Sequence, residues 1–305
     1  MTSVRACVGL LLVLFAAGAR AQPQPQPVIE GHEILQADRP EAWAMNHAAI
    51  ATLFTGFGTI PTLSAGQWQG AVDVAEVPWL DAAQRQVGFN GDKSEDVNKS
   101  PVFGRLRAIV GLPSNWVAEL AWTPPIRMGG ASAQGLFAAS VGHLVLDQTP
   151  WAVSVRAFGQ RGSIHGDITC PSNLAGLSDP LVNPYGCDAA SNDSMELDYY
   201  GFEVDASRSS AAWRWHVGGV LVRTELEVQV DALTYGYRDR TRLTANATRH
   251  GFTLGFRRAL GSGWSLAGEV LHVPLPVRRN PLQSVGNDPF TGLRLQLAYA
   301  RPSGD

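Results

Sequence analysis

The sequence predicts an all-β protein whose strands close into an antiparallel barrel, with one short helix before it. From Gly66 onward, apolar and polar residues alternate in many short segments, which is the period of a half-buried strand. The joints between these segments are alternately short and long, as in a series of hairpins. Five tryptophans open strands, and four of them directly follow a short joint, which predicts a ring of aromatic residues at one level.

The composition excludes several classes of function. The 305 residues carry 24 Lys+Arg against 27 Asp+Glu, and this near-neutral balance argues against a nucleic-acid binder. Three cysteines give no zinc-binding spacing, and no phosphate-loop or dinucleotide fingerprint is present, so neither a metal nor a cofactor is predicted. No stretch reaches the roughly 18 apolar residues of a transmembrane helix, whereas a membrane barrel spreads its hydrophobicity over alternate residues.

The first 21 residues have the pattern of a secretory signal peptide. Arg5 precedes an apolar core at 6–19, and Ala19-Arg20-Ala21 is a small-x-small cleavage site. The predicted organisation is therefore a signal peptide at 1–21, a periplasmic tail and helix at 22–66, a barrel at 67–300 and a C-terminal tail at 301–305.

A helix is predicted to begin after Asp38, with Asp38 as its N-cap. The apolar side chains that follow recur at helical spacing: Trp43, His47, Ile50 and Phe54. We expect this helix to end before Gly56. If the segment 43–57 were a strand instead, the barrel would need a further partner, and twelve strands would be the alternative.

Ten strands account for the alternating region. A slip of parity near Tyr200 predicts a β-bulge at Gly201. The predicted segments lie near 67–77, 103–112, 116–124, 135–147, 151–162, 195–206, 212–226, 248–259, 263–273 and 290–300.

A signal peptide, alternating strands, short turns opposite long loops and paired aromatic belts together resemble a Gram-negative outer-membrane β-barrel. The resemblance implies a closed sheet, outer-membrane lipids as partners, and an N-terminus in the periplasm. One feature departs from it, because the last strand is followed by ARPSGD rather than ending on an aromatic residue. One predicted belt is Trp68, Trp116, Trp151, Trp213 and Trp264, and the other is Phe103, Trp122, Phe137, Tyr199, Tyr200 and Phe290.

Charged residues fall consistently on the strand positions that would face the lumen. A packed set of Arg–carboxylate pairs bracing a narrow barrel is one interpretation. A narrow, net-positive path for small anionic or amphipathic solutes is the other. The predicted lumen or solute-binding residues are Asp73, Arg107, Glu119, Arg156, Arg214, His216, Arg257, Glu269 and Arg294.

Two cysteines of the mature chain, Cys170 and Cys187, fall in one turn-rich segment and predict a disulfide in an oxidising compartment. A rim-active hydrolase or protease is an alternative function, built on His165, Asp167 and Asp198. The strand parity points His165 and Asp167 outward, which argues against a shared catalytic site, so no catalytic residue is assigned.

The main functional prediction is a narrow pore or uptake channel, or a structural barrel. A third class, a soluble secreted lipocalin-like binder, would require polar outward positions, and here these positions are mostly apolar.

Overall fold

The computed structural model describes residues 26–280, 282 and 284–301, so the predicted signal peptide lies outside the described residues. Neither the domain boundaries nor the periplasmic N-terminus is tested by the fold, and both stay predictions. Ten long strands are present: β1 Trp68–Glu76, β2 Val102–Leu112, β3 Trp116–Trp122, β4 Ser132–Gln148, β5 Trp151–Gly166, β6 Asp193–Ser210, β7 Trp213–Gln229, β8 Arg242–Gly261, β9 Trp264–Val273 and β10 Phe290–Ala300.

These strands form a closed antiparallel barrel. Each strand pairs with its neighbours along the chain, and β10 pairs with β1, where Leu297 lies opposite Val72. Closure gives every strand two partners, as a sheet in hydrocarbon requires. The prediction of ten strands is confirmed, and the alternative of twelve is wrong because residues 40–51 are helical.

The bulge predicted at Gly201 is wrong. Gly201 lies opposite Val222 in an unbroken ladder with β7, and opposite Phe158 in the ladder with β5. The apparent slip of parity arose because Tyr199 and Tyr200 are adjacent aromatic residues that belong to opposite faces. Tyr199 is buried inside the barrel and Tyr200 is exposed outside it.

The two faces of the barrel have opposite chemistry. Apolar side chains such as Val72, Leu120 and Leu254 are exposed on the outside, whereas charged residues such as Asp73 and Glu119 are buried inside. An arginine facing the middle of a bilayer would cost about 2–4 kcal/mol. This pattern therefore sets the register of the whole sheet.

Aromatic residues ring the outside at both ends. At the end with the short turns, the five predicted tryptophans lie on the outward face, with Trp213 half-buried against Trp215 and Phe256. At the end with the long loops, Trp122, Phe137 and Tyr200 are exposed.

The prediction is wrong for Phe103, Tyr199 and Phe290, the remaining members of the second belt, because their side chains lie on the inward face of their strands. Tyr199 donates a hydrogen bond to the Thr52 carbonyl at 2.7 Å, and the Phe290 ring packs on His47 at 5.1 Å. Phe103 is half-buried and packs inside, against the guanidinium of Arg105.

The helix α1, Pro40–Ala51, lies within the barrel at the long-loop end. Its apolar residues are buried on every side, as expected of a helix enclosed by other elements. Asp38 is not its N-cap: Arg39 occupies that position without a side-chain bond, because the Asp38 carboxylate pairs with Arg278 at 2.9 Å. Among the described residues, no helix is long and apolar enough to cross a membrane.

A layer of loops and short strands covers the long-loop end. Val28–Ile29, Tyr237–Asp239, Ala232–Thr234 and Cys187–Ala189 form a small sheet, and His32–Ile34 pairs in parallel with the start of β8. Two short hairpins and a 3-10 turn complete the layer: Gln86–Gly88 with Lys93–Ser94, Pro276–Val277 with Gly286–Asn287, and Phe89–Gly91. The predicted disulfide between Cys170 and Cys187 is confirmed within this layer.

Replacing both Cys170 and Cys187 with serine should loosen this layer without opening the barrel. A disulfide that closes a loop of this length lowers the entropy of the unfolded chain and so stabilises the folded loop by about 3 kcal/mol. We expect faster hydrogen exchange at 170–189 and unchanged exchange in β9 and β10. A heat-modifiable gel shift equal to that of the parent chain would serve as the control for folding. Equal exchange in the loop before and after the substitution would contradict the prediction.

Candidate functional site

The segment that follows α1 runs through the lumen. Thr55 donates a hydrogen bond to the Glu269 carboxylate, and the Gly56 amide donates to Glu203 at 3.0 Å. Further along, the Thr59 and Ser207 hydroxyls lie 2.8 Å apart. The segment reaches the short-turn end, where the Gly66 amide bonds the Gly111 carbonyl at 2.9 Å. We call residues 40–60 the plug, because they occupy the interior of the barrel.

Arginines of the wall bind the end of α1. Arg294 donates to the Ile50 carbonyl at 2.8 Å and to the Leu53 carbonyl at 2.6 Å. The carbonyls of the last turn have no partner within a helix, and the helix dipole places partial negative charge there. The guanidinium of Arg294 therefore satisfies both the hydrogen bonds and the charge of this helix end.

Three more arginines each bind one carbonyl of the same stretch of the plug. Arg105 donates to the carbonyl of Thr52, Arg156 to that of Phe54 at 2.6 Å, and Arg107 to that of Thr55 at 2.9 Å. The Phe54 ring lies among these guanidinium groups, 4.3 Å from that of Arg107 and 4.4 Å from that of Arg156. Hydrogen bonds and cation–π contacts thus fix the plug at one level of the barrel.

A chain of ion pairs joins the wall at the same level. Arg107 contacts Asp73 at 2.6 Å and Glu119 at 2.9 Å, and Arg156 contacts Glu119 and Glu203, each at 2.9 Å. These five residues lie on five strands, β1, β2, β3, β5 and β6. Every member is buried, and each charge has an opposite charge beside it.

The other predicted lumen residues also point inward. His216 lies 3.6 Å from Glu269, which lies 4.0 Å from Arg294. At the short-turn end, Arg214 donates to Ser209 at 3.2 Å, and Arg257 approaches the carbonyl of Phe57 at 3.5 Å. All nine predicted lumen residues therefore face the interior, while their role as solute ligands stays a prediction.

Sequence reasoning missed several interior residues. Glu203 and Asp205 share the inward parity of β6, but the bulge assumed at Gly201 obscured it. Arg105 has the same parity as Arg107 and could have been found from that alone. Adding Glu203, Asp205 and Arg105 to the predicted set gives five acids and six arginines, so this set is more balanced in charge than the predicted three acids and five arginines.

The rim residues do not form a catalytic group. His165 contacts only the Ser163 hydroxyl, at 3.3 Å, among the hydrogen bonds of the described residues. Asp167 binds Lys99 at 2.7 Å and the amide of Ser172 at 2.8 Å, and so anchors the disulfide loop. Asp198 accepts the amide of Gly162 at 3.0 Å. Each group thus has a structural partner of its own.

The barrel wall is incomplete between β2 and β4 at the long-loop end. The last pair between β2 and β3 is Leu106 with Trp122, so residues 102–105 pair with β1 alone. Pro124 and Pro125 follow β3 and lack the N–H groups that a ladder requires. On the other side of the gap, the register between β4 and β5 shifts at Gly135, which has a φ of 59°. This shift bends β4 in the part of the strand that pairs only with β5.

A cavity of about 390 Å³ lies at this gap, with residues of both the outer face and the plug in its lining. Val72, Val74 and Leu106, which belong to the outer face, line one side, and Ala48 and Ala51 of α1 line the other. Pro124, Ile126 and Met128 cover it from the loop after β3. Most of the lining is apolar, and its charged members are Asp73, Lys99 and Arg105.

Similar solved structures are outer-membrane β-barrels. The COG4313 outer membrane channel from Pseudomonas putida F1 is 11% identical, with 81% of this chain and 99% of that chain covered and a TM-score of 0.42. The Pseudomonas putida toluene transporter TodX is 12% identical, with 91% of this chain and 78% of that chain covered and a TM-score of 0.32. The outer membrane protease OmpT from Escherichia coli is 8% identical, with 77% of this chain and 94% of that chain covered and a TM-score of 0.34. No protein-family model and no curated protein matches the chain.

A second cavity, of about 240 Å³, lies beside α1 under the loops and is lined in part by Glu95. The Glu95 carboxylate is 13% exposed and accepts a bond from Lys93 at 3.0 Å. Burial raises the pKa of Glu95 to about 7, although Lys93 opposes the shift. Since this pKa exceeds the ordinary value of 4.5, the folded loop favours the protonated form and loses stability as the pH rises from 4.5 through 7.

The loop between β1 and β2 should therefore open more readily at pH 8 than at pH 5. We expect hydrogen exchange at 86–95, corrected for intrinsic rates, to report a loss of up to about 3 kcal/mol. Glu95→Gln should abolish the pH dependence of this exchange, whereas Asp92→Asn in the same loop should leave the pH dependence unchanged. Equal corrected exchange at both pH values in the parent chain would contradict the prediction.

The plug should close the barrel to ions. In planar bilayers, we expect no steady conductance from the parent chain and frequent brief openings from Arg294→Met. This substitution removes the charged hydrogen bonds that Arg294 donates to the plug, of which the two shortest, to the Ile50 and Leu53 carbonyls, are each worth about 1.5–3 kcal/mol. It spares the ion-pair chain that joins Arg107 and Arg156 to the wall carboxylates. Arg258→Met, on the outward face, is the matched control. A folded Arg294→Met barrel that stays closed would show that the plug does not depend on this contact.

Proposed function

We propose that this protein is an outer-membrane barrel that admits small apolar or amphipathic molecules through the cavity in its wall. The apolar outer band and the two aromatic belts suit a protein in contact with lipid. The proposal refines the predicted uptake channel, because the route leads through the wall rather than along the axis.

The observation that carries the proposal is the composition of the cavity lining. Val72, Val74 and Leu106 belong to the surface that would contact lipid, and Ala48 and Ala51 belong to the plug. A molecule dissolved among lipid chains can enter such a site without crossing water. The volume falls within the range of small-molecule sites.

An open axial pore is less well supported. The carbonyls of Thr52, Phe54 and Thr55 and the amide of Gly56 bind wall residues across the lumen, namely Arg105, Arg156, Arg107 and Glu203. Movement of a solute beyond the cavity would therefore require a shift of the plug. The small side chains of Ala48 and Ala51 leave room on the face of α1 where such a shift would begin.

Filling the mouth of the cavity should stop uptake. Gly104 lines the cavity on β2, and a Cβ added there would meet only the Asp73 carbonyl, at 3.6 Å, so a larger side chain is tolerated locally. We expect Gly104→Phe to reduce the initial rate at which N-phenyl-1-naphthylamine enters Gram-negative cells expressing the protein by at least about fivefold.

Gly219→Phe is the matched control for this experiment. Gly219 has outward parity on β7, and a Cβ added there has no atom within 4 Å. The Gly219→Phe substitution introduces the same ring on the outer face away from the cavity. We expect this variant to take up the dye at the same initial rate as the parent chain. Equal uptake by folded Gly104→Phe and Gly219→Phe barrels would refute entry through the wall.

A further inference from the structure

Arg105 is a buried cation without an anionic partner. It is 4% exposed, and no carboxylate of the described residues lies within 4.0 Å of its guanidinium. Its Nη2 donates to the Thr52 carbonyl and lies 3.4 Å from the Gln160 amide oxygen, while its Nη1 has no hydrogen-bond partner. Arg107, two residues further along β2, instead has two carboxylate partners. A buried charge left unpaired is costly, so the missing partner calls for an explanation.

Arg105 belongs to the wall cavity. Of the three charged side chains that line this cavity, Asp73 is bound by Arg107 and Gln296, and Lys99 by Asp96 and Asp167. Arg105 alone keeps a free charged donor. The rings of Phe103 and Phe54, 4.7 and 5.2 Å from its guanidinium, hold the group in place.

We propose that Arg105 binds the carboxylate of a hydrophobic monocarboxylic acid lodged in the cavity. This inference rests on the proposed function and names its substrate class. The carboxylate would pair with the Arg105 guanidinium, whose unpartnered Nη1 is enclosed in this structure and would have to turn into the cavity to donate a charge-assisted hydrogen bond. The apolar body would extend among Phe103, Leu106 and Ile126 toward the outer face.

A neutral hydrocarbon would fill the same space but would leave the charge of Arg105 unpaired. A group of higher charge, such as a phosphate monoester, would find one free donor on Arg105, and the Lys99 amine is already bound by two carboxylates. The single unmet donor and the apolar lining together select one carboxylate on an apolar body. The cavity volume suits a body of one ring with a short side chain.

The test compares 3-phenylpropionate with 3-phenylpropanol, which share a carbon skeleton and differ in charge. The refolded full chain is placed in lipid nanodiscs at neutral pH, and binding is measured by calorimetry. We expect the acid to bind at least about tenfold more tightly than the alcohol. Arg105→Met should lower the affinity for the acid by about tenfold or more and change that for the alcohol less than about twofold.

Arg249→Met is the matched control. Arg249 is also buried, and no carboxylate in the described part of the chain lies within 4.0 Å of it, but it binds the Ala37 carbonyl and does not line the cavity. We expect both ligands to bind this variant as they bind the parent chain.

A second variant keeps the test decisive if Arg105→Met does not fold. Gln160→Glu supplies an internal carboxylate beside Arg105 at nearly constant volume, and it should lower the affinity for the acid but not for the alcohol. Equal binding of acid and alcohol by the parent chain, or acid affinity unchanged in the folded variants, would overturn the role of Arg105. Entry through the wall would still stand in that case if Gly104→Phe reduced uptake. If Gly104→Phe left both uptake and binding unchanged, the proposed function itself would fail.

Discussion

The interior of this barrel depends on the meeting of a helix end with a ring of arginines. A helix that ends inside a protein leaves carbonyl oxygens without partners, and its dipole concentrates negative charge there. Arg294 binds the carbonyls of Ile50 and Leu53, and Arg105, Arg156 and Arg107 bind those of Thr52, Phe54 and Thr55. Two of these guanidinium groups, those of Arg107 and Arg156, also pair with carboxylates of the wall, so contacts that hold the plug also brace the strands.

The alternation of side chains was sufficient to predict the barrel, because a bilayer and a polar lumen impose opposite demands on neighbouring residues. All ten strands and the inward direction of residues such as Arg107 and Glu269 follow from that pattern. Local rules failed where a tertiary contact decided the outcome. Asp38 could have capped the helix, but Arg278, distant in sequence, takes its carboxylate. Two adjacent tyrosines on opposite faces resembled a bulge that β6 does not contain.

The gap in the wall could not have been predicted from any single segment. The gap arises because the two strands end at different levels. Residues 102–105 of β2 extend past the pair of Leu106 with Trp122, whereas β3 ends at Trp122 before two prolines. The free donor of Arg105 is also a property of the assembled molecule, since its sequence neighbour Arg107 takes the nearby carboxylates. The plug occupies the axis and the cavity lies in the wall, and this arrangement supports the proposed site that is reached from the side.

The path of the N-terminal segment has a consequence for assembly. The chain enters at the long-loop end, passes the arginines and leaves at the short-turn end, where β1 begins at Trp68. The short strands Val28–Ile29 and His32–Ile34 pair with loops beyond the far mouth. The chain between these short strands and β1 therefore runs along the axis, so the barrel must either close around this segment or be threaded by it.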